Sequence, residues 1–306
     1  MSNYTNNLFI RGSTNNCWAI LFGYVTNGAR VLDVGCSSGN FGEVLVQEKK
    51  CQVIGLDINS QDIKIAKKKL TDALVFDIEK DDLSKLGKFD FVIFADVLEH
   101  LTSPIEALKR AKIVLKTEGK VLFSIPNMAH ISTRLSVIEG SFKYTPTGIL
   151  DKTHLHYYDE DEVKYIFSEA QFKIEQLTPT TLTYPDKMVT NRLQKIGIEP
   201  SKKFFQHLSK SKAHIYQFVG CAVPNDKKIK NSILRYKYPV DELKEEMARS
   251  EKLTSNHVHN LKNIIERQEA HINSLDRELK QIKSSRRWRA VTKLSKLTKQ
   301  LRVRRN

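Results

Sequence analysis

The chain has 306 residues, of which 40% are hydrophobic and 28% are charged, and this balance allows a buried core and excludes wholesale disorder. Its length predicts either one large domain with an appendage or two domains. The formal net charge is +15, but nine basic residues and no acidic ones lie between Arg286 and Asn306. The strongly basic character therefore belongs to the C-terminal tail.

The N-terminal segment, 1–28, is expected to cap the following domain. Residues 1–16 are polar and lack the basic start and apolar centre of a secretory signal, and the longest apolar run, 18–25, is far shorter than the roughly 20 residues of a membrane span. Four cysteines are spread along the chain without a CxxC pair: Cys17, Cys36, Cys51 and Cys221. We therefore expect reduced thiols, a cytoplasmic protein, and neither a disulfide framework nor a zinc site.

Between residues 29 and 126, short β-branched runs alternate with amphipathic segments. The runs predict five strands, at 31–34, 52–56, 73–76, 89–94 and 119–125. The segments between them predict helices, at 41–49, 60–70 and 103–116. Apolar strands separated by helices indicate a parallel sheet that is covered on both faces.

After Asn127 the pattern is less regular. It predicts a helix within 128–158, a second helix that Asp159 caps, and two closing strands at 172–178 and 213–223. We therefore predict an α/β fold over 29–224, with a doubly wound, seven-stranded, mostly parallel sheet.

A glycine-rich turn follows the first predicted strand. Residues 31–42 run from strand to turn to helix, with Gly35 and Gly39 in the turn. Glycine is needed where a ligand approaches the backbone closely, because there is no Cβ in the way. The turn therefore predicts a ligand-binding loop that includes Cys36 and that Asp33 braces from inside the strand.

Acidic residues lie at the carboxyl ends of the next three strands. Asp57 ends the second strand, Asp77 ends the third, and Asp96 follows the fourth. Open α/β sheets bind ligands at this edge, where an acid in the position of Asp57 accepts hydrogen bonds from ribose hydroxyls. Asp77 is placed to meet an adenine amino group, so that the pattern predicts a nucleoside-containing ligand.

Across about residues 28–126, this ordered set resembles the class I S-adenosylmethionine-dependent methyltransferases. It is similar to the branch that includes the ubiquinone-biosynthesis O-methyltransferases, whose fourth motif also reads like Val97-Leu98-Glu99-His100. The resemblance implies a Rossmann-like methyltransferase fold and S-adenosylmethionine as the cofactor. It places the methionine part at the glycine turn, the ribose at the second strand, the adenine at the third and the sulfonium at the fourth. The cofactor contacts implied are Asp33, Gly35, Cys36, Gly39, Asp57, Ile58, Asp77, Ile78, Ala95 and Asp96.

Two alternatives to an active methyltransferase follow from the same residues. The glycines at 35, 39 and 42 do not have the GxGxxG spacing of dinucleotide-binding dehydrogenases, which disfavours that class. A cofactor domain without activity stays open, because a fold alone does not guarantee chemistry. Ser37 also stands where the family often has glycine.

The segment 126–158 is where this family commonly builds its acceptor pocket. In this chain the segment carries His130, Arg134, Tyr144, His154, His156, Tyr157 and Tyr158. Methyl transfer to an alcohol needs alignment of the two reactants and removal of a proton. We predict His154 as the general base, His156 as the second choice, and Asp151 as a group that orients either one. The alternative is that one of these histidines is a hydrogen-bonded structural residue.

No metal is predicted. His100 is expected to pack beneath the turn after the fourth strand. Together with Glu99 it could join a divalent-metal site, but the sequence has no second cluster at ligand spacing.

The C-terminal third divides into a charged linker, 225–239, a heptad segment, 240–284, and a basic tail, 285–306. Apolar residues at spacings of three and four predict a coiled coil, and with it a homo-oligomer, although a lone helix packed on the domain is the alternative. The tail reads as a basic amphipathic helix suited to an anionic membrane at the inner face. Nucleic acid is disfavoured, because the tail's only aromatic residue is Trp288.

The junction at 282–289 is similar to the Ser-x-x-Trp-Arg ending that follows coiled coils in bacterial surface-polysaccharide enzymes. This short resemblance favours a sugar hydroxyl, in a surface polysaccharide or its lipid-linked precursor, as the methyl acceptor. The alternatives are a small-molecule O-methyltransferase of the quinone type and a coiled-coil scaffold with an idle cofactor domain.

Overall fold

The computed structural model of the chain describes residues 9–225 and 255–284. The chain divides into two compact units, Met1–Lys230 and Asn231–Asn306. The strands described in the first unit are β1 (Arg30–Val34), β2 (Gln52–Asp57), β3 (Asp72–Val75), β4 (Phe89–Ala95), β5 (Leu115–Pro126), β6 (Phe172–Thr181) and β7 (Ile215–Pro224).

Its described α-helices are α1 (Cys17–Tyr24), α2 (Asn40–Lys49), α3 (Ser60–Ala66), α4 (Pro104–Val114), α5 (Ile131–Ile138), α6 (Glu160–Glu169), α7 (Asp186–Gln194) and α8 (Lys202–Lys210).

The strands form one sheet in the order β3-β2-β1-β4-β5-β7-β6. The strands from β1 to β5 pair in parallel, and β7 runs antiparallel to both of its neighbours. The predicted α/β fold with a seven-stranded, mostly parallel sheet is therefore confirmed. The predicted bounds agree to within a few residues, except that β5 begins four residues early and α3 ends four residues early.

Each face of the sheet packs against its own layer of helices. Leu32 and Phe94 belong to a core that includes buried side chains of α4 and α6. Val31 and Ile93, the alternate positions on the same two strands, belong to a core that includes α1, α2 and α3. Successive strand residues point to opposite faces, so apolar residues at both parities require helices on both sides.

Helices α7 and α8, which follow β6 and precede β7 along the chain, were not predicted from the sequence. Together with α5 they enclose a small separate core of Ile131, Leu135, Val189, Leu193 and Ala213. Helix α8 is short but strongly amphipathic, and Phe204, Phe205 and Leu208 pack against this core, so the sequence carried a periodic signal that the prediction overlooked. This addition was therefore recognised only from the structure.

The second unit contains helix α9, Ser255–Ser284. The predicted heptad segment is helical over these residues, and its first part, 240–254, lies outside the described residues together with most of the linker. The predicted basic tail, 285–306, also lies outside them. None of the described helices combines the length and the apolar character that a membrane span requires.

Candidate active site

A cavity of about 620 Å³ opens at the carboxyl ends of β1, β2 and β4. The strand order reverses between β1 and β4, and such switch points are where doubly wound sheets bind ligands. The volume lies within the ~300–1,000 Å³ typical of ligand sites. Of the ten predicted cofactor contacts, nine line the cavity: Asp33, Gly35, Cys36, Asp57, Ile58, Asp77, Ile78, Ala95 and Asp96.

The glycine turn brings backbone to the cavity wall. Gly35 has a φ of +67°, and a Cβ built on it would lie 2.6 Å from Cγ2 of Val97. The position therefore requires glycine both for its left-handed backbone and for the close approach of the turn after β4. Ser37, the departure from the family pattern, also has a positive φ, of 47°. Gly39 does not line the cavity but precedes α2 as its N-cap, with a φ of 77°.

Asp57 connects the end of β2 to the glycine turn. Its Oδ2 accepts a hydrogen bond from the backbone N–H of Ser37 at 2.9 Å, and its Oδ1 accepts one from the N–H of Asn59 at 2.8 Å. A carboxylate oxygen can accept more than one hydrogen bond, so both oxygens retain capacity for ligand hydroxyls. The side chain is thus held in place at the cavity wall before any ligand binds.

Asp33 lies beneath this carboxylate at the floor of the cavity. Burial, with a further contribution from the negative charge of Asp57, raises the pKa of Asp33 to about 7. Burial also raises the pKa of the adjacent Cys36 thiol, so that this cysteine is a neutral wall residue and not a reactive thiolate. These two residues shape the cavity floor.

The third-strand residues form one side of the cavity. β3 ends at Val75, so Asp77 lies in the following turn, where its carboxylate accepts hydrogen bonds from Lys80 Nζ at 2.7 Å and from the N–H of Glu79 at 2.9 Å. The hydrogen bond from Lys80 lowers the pKa of Asp77. Ile78 is buried in the wall, whereas Ile58 is 74% exposed at the rim.

Asp96 stands just beyond β4 with a φ of 55°, a left-handed conformation for a residue with a side chain. Its carboxylate accepts hydrogen bonds from Ser124 Oγ at 2.8 Å and from Gln217 Nε2 at 2.9 Å. Burial raises the pKa of Asp96, with those hydrogen bonds opposing the shift. The strain and the two side-chain donors together fix an acid at the cavity.

Several lining residues were missed by the sequence reasoning. Trp18 reaches the cavity from α1, and its ring lies 5.5 Å from that of Phe41 on α2. Glu79 lines the wall and also accepts hydrogen bonds from the N–H groups of Thr102 and Ser103, which cap α4. Ser103 is the N-cap residue of α4, but its own side chain makes no capping bond. Trp18 and Glu79 reach the cavity from elements outside the predicted motifs, and no local sequence pattern indicates that they would line it.

The predicted acceptor-side residues do not lie where the sequence placed them. Among the described residues, those lining the cavity include Thr153 but not Asp151, His154 or His156. The side chain of His154 is 5% exposed, and its Nδ1 lies 3.0 Å from the carbonyl oxygen of Ile149. Asp151 is buried and accepts hydrogen bonds from the N–H and Oγ1 of Thr153. The expectation that His154 faces the reactants is therefore corrected, because the loop turns its ring inward.

His100 takes the place expected of His154. It lines the cavity, whereas the sequence placed it beneath the turn. The sequence shows no second cluster at ligand spacing beside Glu99 and His100, but the fold brings a third candidate ligand to them from a distant segment. His154 comes next to both of them, so that their ligand atoms all lie within 4.8 Å of one another. A separation of more than 50 residues along the chain hid this cluster from sequence reasoning.

The other histidine and arginine of the segment have structural roles. His130 is fully buried, N-caps α5, and bonds through Nε2 to the carbonyl of Leu182 at 2.8 Å. Arg134 donates to Ser211 Oγ at 2.7 Å and to the carbonyl of Ala129. These contacts join the β5–α5 loop to the α7–α8 addition.

A group of aromatic rings lies next to the histidine cluster. The ring of His154 lies 6.2 Å from that of Tyr157, and Tyr157 lies 6.0 Å from Phe142. Phe142 in turn lies 5.6 Å from Tyr144, which is 59% exposed. Phe142, Tyr144 and Tyr157 form the ring cluster, which is connected to the cavity-lining His100 through the ring of His154, 4.7 Å from that of His100.

Known proteins share the domain that carries this cavity. The family model described as a methyltransferase domain matches residues 19–177, just over half of the chain. A ubiquinone biosynthesis O-methyltransferase of Acinetobacter baylyi is 24% identical over 160 residues, which are 49% of this chain and 66% of that enzyme. The enzyme of the same name from Idiomarina loihiensis is 31% identical over 137 residues, which are 42% of this chain and 54% of that enzyme. The chain thus spans less than two thirds of these curated relatives.

Among solved structures, a SAM-dependent methyltransferase from Archaeoglobus fulgidus is 22% identical, with a TM-score of 0.46 over 69% of this chain and 94% of that one. Fold, cavity and family model together define the class. The chain belongs to the methyltransferase domain family, and its sheet has the doubly wound, mostly parallel topology expected of the class I S-adenosylmethionine-dependent methyltransferases.

Proposed function

We propose that this chain transfers a methyl group from S-adenosylmethionine to the hydroxyl of a small aromatic acceptor. The observation that carries the proposal is the cavity at the switch point, which combines the Gly35 turn, the Asp57 carboxylate and His100, and the ring of His154 connects His100 to the ring cluster. The names of the curated relatives, ubiquinone biosynthesis O-methyltransferases, support a phenol-type acceptor.

The residues lining the cavity fit the cofactor. The turn at Gly35 presents exposed backbone to the cavity, and the Asp57 carboxylate is held to accept the ribose hydroxyls. Asp77 and Ile78 form the wall proposed for adenine, and Asp96 provides the negative charge that suits a cationic sulfonium or ammonium group. When bound, S-adenosylmethionine supplies a methyl group that is activated by a positively charged sulfur.

The chain's own residues then have to align the acceptor and remove its proton. The acceptor oxygen forms a bond to the methyl carbon while the carbon–sulfur bond breaks, the electron pair stays on sulfur, and the hydroxyl proton is released. His100 lines the cavity, which makes it, among the described histidines, the one best placed to contact the acceptor. The predicted residues His154, His156 and Asp151 do not line the cavity, so they would act without direct contact with the acceptor.

The ring cluster favours an aromatic acceptor because its exposed side chains are apolar. Phe142 and Tyr144 each expose close to half of their surface or more. Stacking of two planar rings contributes about 0.5–1.5 kcal/mol per pair, in addition to the burial of apolar area.

The sugar acceptor was predicted from the C-terminal junction, most of which lies outside the described residues, and no relative reported above is named for a polysaccharide.

The test is a methyl-transfer assay with methyl-labelled S-adenosylmethionine and two sets of acceptors, catechol-type phenols and free or lipid-linked hexoses. We expect label in a phenolic product with formation of S-adenosylhomocysteine, and a loss of at least about tenfold in kcat/KM for Tyr144→Ala. Tyr165→Ala, which changes a similarly exposed tyrosine on α6, is the matched control. Transfer to hexoses alone would overturn the acceptor class, and absence of transfer to either set would overturn the proposed activity.

Location and assembly are proposed separately. We propose a protein of the cytoplasm that self-associates through the heptad segment and touches the anionic inner face of the membrane through its basic tail. Sedimentation of the full chain tests the first point, and flotation with anionic vesicles, compared with a chain that ends at Ser284, tests the second. A monomeric chain, or unchanged flotation after truncation, would refute the respective point.

A further inference from the structure

A row of polar side chains crosses four neighbouring strands and begins at the cavity. Asp96 follows β4 and lines the cavity. The next strands across the sheet, β5, β7 and β6, contribute Ser124, Gln217 and Thr180 in that order. Ser124 is fully buried within the otherwise apolar run 121–125 of β5, and Thr180 is also buried. A buried polar group costs stability unless it is hydrogen-bonded, so each member of the row needs a partner.

The row converges on the carboxylate of Asp96. Ser124 Oγ donates to Oδ1 at 2.8 Å, and Gln217 Nε2 lies 2.9 Å from Oδ1 and 3.1 Å from Oδ2. The backbone N–H of Asp96 also donates to the carbonyl of Ser124 at 3.1 Å. The carboxylate is therefore held from β5 and β7, although neither Ser124 nor Gln217 lines the cavity.

Thr180 fixes which end of the Gln217 amide faces the acid. Its Oγ1 donates to Oε1 of Gln217 over 3.4 Å, and the pairing of β6 with β7 places the two residues opposite each other. An ionised carboxylate only accepts hydrogen bonds, so the amide nitrogen has to face Asp96 and the amide oxygen has to face the hydroxyl. A reversed amide would bring two acceptors together. The row thus favours the ionised form of Asp96.

This carboxylate lies at the end of the cavity where the sulfonium is expected. With the ribose at Asp57 on β2 and the adenine near Asp77 after β3, the rest of the cofactor would extend in the opposite direction, across β1 to β4. Adjacent strands are about 4.8 Å apart, so β4 lies roughly 10 Å from β2. A carboxylate attracts the positively charged sulfur of S-adenosylmethionine but not the neutral sulfur of S-adenosylhomocysteine.

We propose that Gln217 and Ser124 are positioning residues that fix the Asp96 carboxylate for recognition of the cofactor's positive charge. The chain thereby distinguishes S-adenosylmethionine from the product S-adenosylhomocysteine, and weaker binding of the product favours its release after each transfer. Asp96 contacts the cofactor, whereas Gln217 and Ser124 act through Asp96. This inference rests on the cofactor placement of the proposed function and is independent of the acceptor.

Other ionisable groups surround Asp96. Those that interact electrostatically with its carboxylate come from α1, the turn after β4 and β7: Cys17, Glu99, His100 and Tyr216. Burial raises the pKa of Asp96, and the hydrogen bonds from Ser124 and Gln217 oppose that rise. Removing either donor should therefore raise this pKa further and leave less of the carboxylate ionised. The four surrounding groups are unchanged in the variants that test the row.

The test measures the dissociation constants of S-adenosylmethionine and S-adenosylhomocysteine by isothermal titration calorimetry of the full chain. We expect Asp96→Asn, which keeps the shape but loses the charge, to lower the preference for S-adenosylmethionine about tenfold. Gln217→Leu and Ser124→Ala should each lower this preference roughly threefold, with little change in the binding of S-adenosylhomocysteine. Gln176→Leu is the matched control, because Gln176 is an exposed glutamine on β6 outside the row.

The dependence on pH separates positioning from a purely structural role. Groups that contact only the shared parts of the two ligands cancel in the ratio of the two dissociation constants. The preference for S-adenosylmethionine should fall as the pH drops through the pKa of Asp96. In Gln217→Leu this fall should move to higher pH by about one pH unit. A variant that is only destabilised would weaken both ligands equally at every pH.

Each part of the inference has its own refuting result. An unchanged preference, or an equal loss of both ligands, in Gln217→Leu or Ser124→Ala would remove the positioning role of that residue. An unchanged preference in Asp96→Asn would remove the recognition of charge. Absence of binding of either ligand to the wild-type chain would overturn the cofactor placement itself. Thermal melts verify folding, and Ser124→Ala, which removes a single buried oxygen, tests the row even if Gln217→Leu does not fold.

Discussion

The sharpest prediction concerns Asp57, whose carboxylate is the proposed partner of the ribose hydroxyls. Replacing Asp57 with alanine removes the acceptor of the Ser37 and Asn59 N–H groups as well as two proposed hydrogen bonds to the ligand. A hydrogen bond to a charged group contributes about 1.5–3 kcal/mol, so the two ligand bonds together amount to about 3–6 kcal/mol. At about 1.4 kcal/mol per factor of ten, the dissociation constant for S-adenosylmethionine should rise by roughly 10²- to 10⁴-fold.

Isothermal titration calorimetry of the full chain measures this change. Asp57→Asn keeps the shape and one acceptor oxygen but loses the charge, so its affinity should lie between those of the wild type and Asp57→Ala. Asp72→Ala is the matched control, because Asp72 is an exposed acid at the amino end of β3, away from the cavity. If Asp57→Ala bound S-adenosylmethionine within about threefold of wild type, while remaining folded, the proposed orientation of the cofactor would be refuted.

Three further predictions concern the walls of the cavity. Gly35→Ala should lower the free energy of unfolding by more than the ~1–2 kcal/mol that a left-handed residue with a side chain costs, and it should weaken cofactor binding, because the new Cβ meets Val97. Gly140→Ala is the control: Gly140 has a φ of +75° with open space around it, so this variant should show the backbone cost alone. Urea titration measures the free energy of unfolding, and calorimetry measures cofactor binding. The pKa of Asp33 in the folded chain is raised to about 7, above the ~3.9 of an unfolded chain. Between these two values the folded state keeps a proton that the unfolded state releases. The free energy of unfolding should therefore fall by up to about 4 kcal/mol between about pH 4 and pH 7. Urea titrations at about pH 5 and pH 8 should show this fall flattened in Asp33→Asn, and an equal fall in the variant would contradict the assignment. Glu79→Ala should cost about 1 kcal/mol by removing the cap of α4, and a thermal melt unchanged from wild type would count against it.

The sequence by itself determined the sheet and most of the cavity wall at the carboxyl ends of its strands. Strands β1 to β5 follow from β-branched runs, and Asp57, Asp77 and Asp96 follow from a simple rule, because the carboxyl ends of parallel strands meet at one edge. Each of these inferences uses residues that are close together in the chain. A local sequence pattern is enough to predict these residues because the direction and the end of each strand set their positions.

Only the tertiary structure decided the acceptor side. The loop around Asp151 returns to the turn after β4, where the N–H groups of Leu155 and His156 donate to the carbonyl of Glu99 at 2.8 and 3.1 Å. Those backbone bonds, made between segments more than 50 residues apart, turn His154 inward and leave His100 at the cavity. Hydrophobic periodicity carries no information about such a contact, so the sequence assigned the cavity wall a histidine from the segment 126–158, whereas His100 from the turn after β4 lines the cavity.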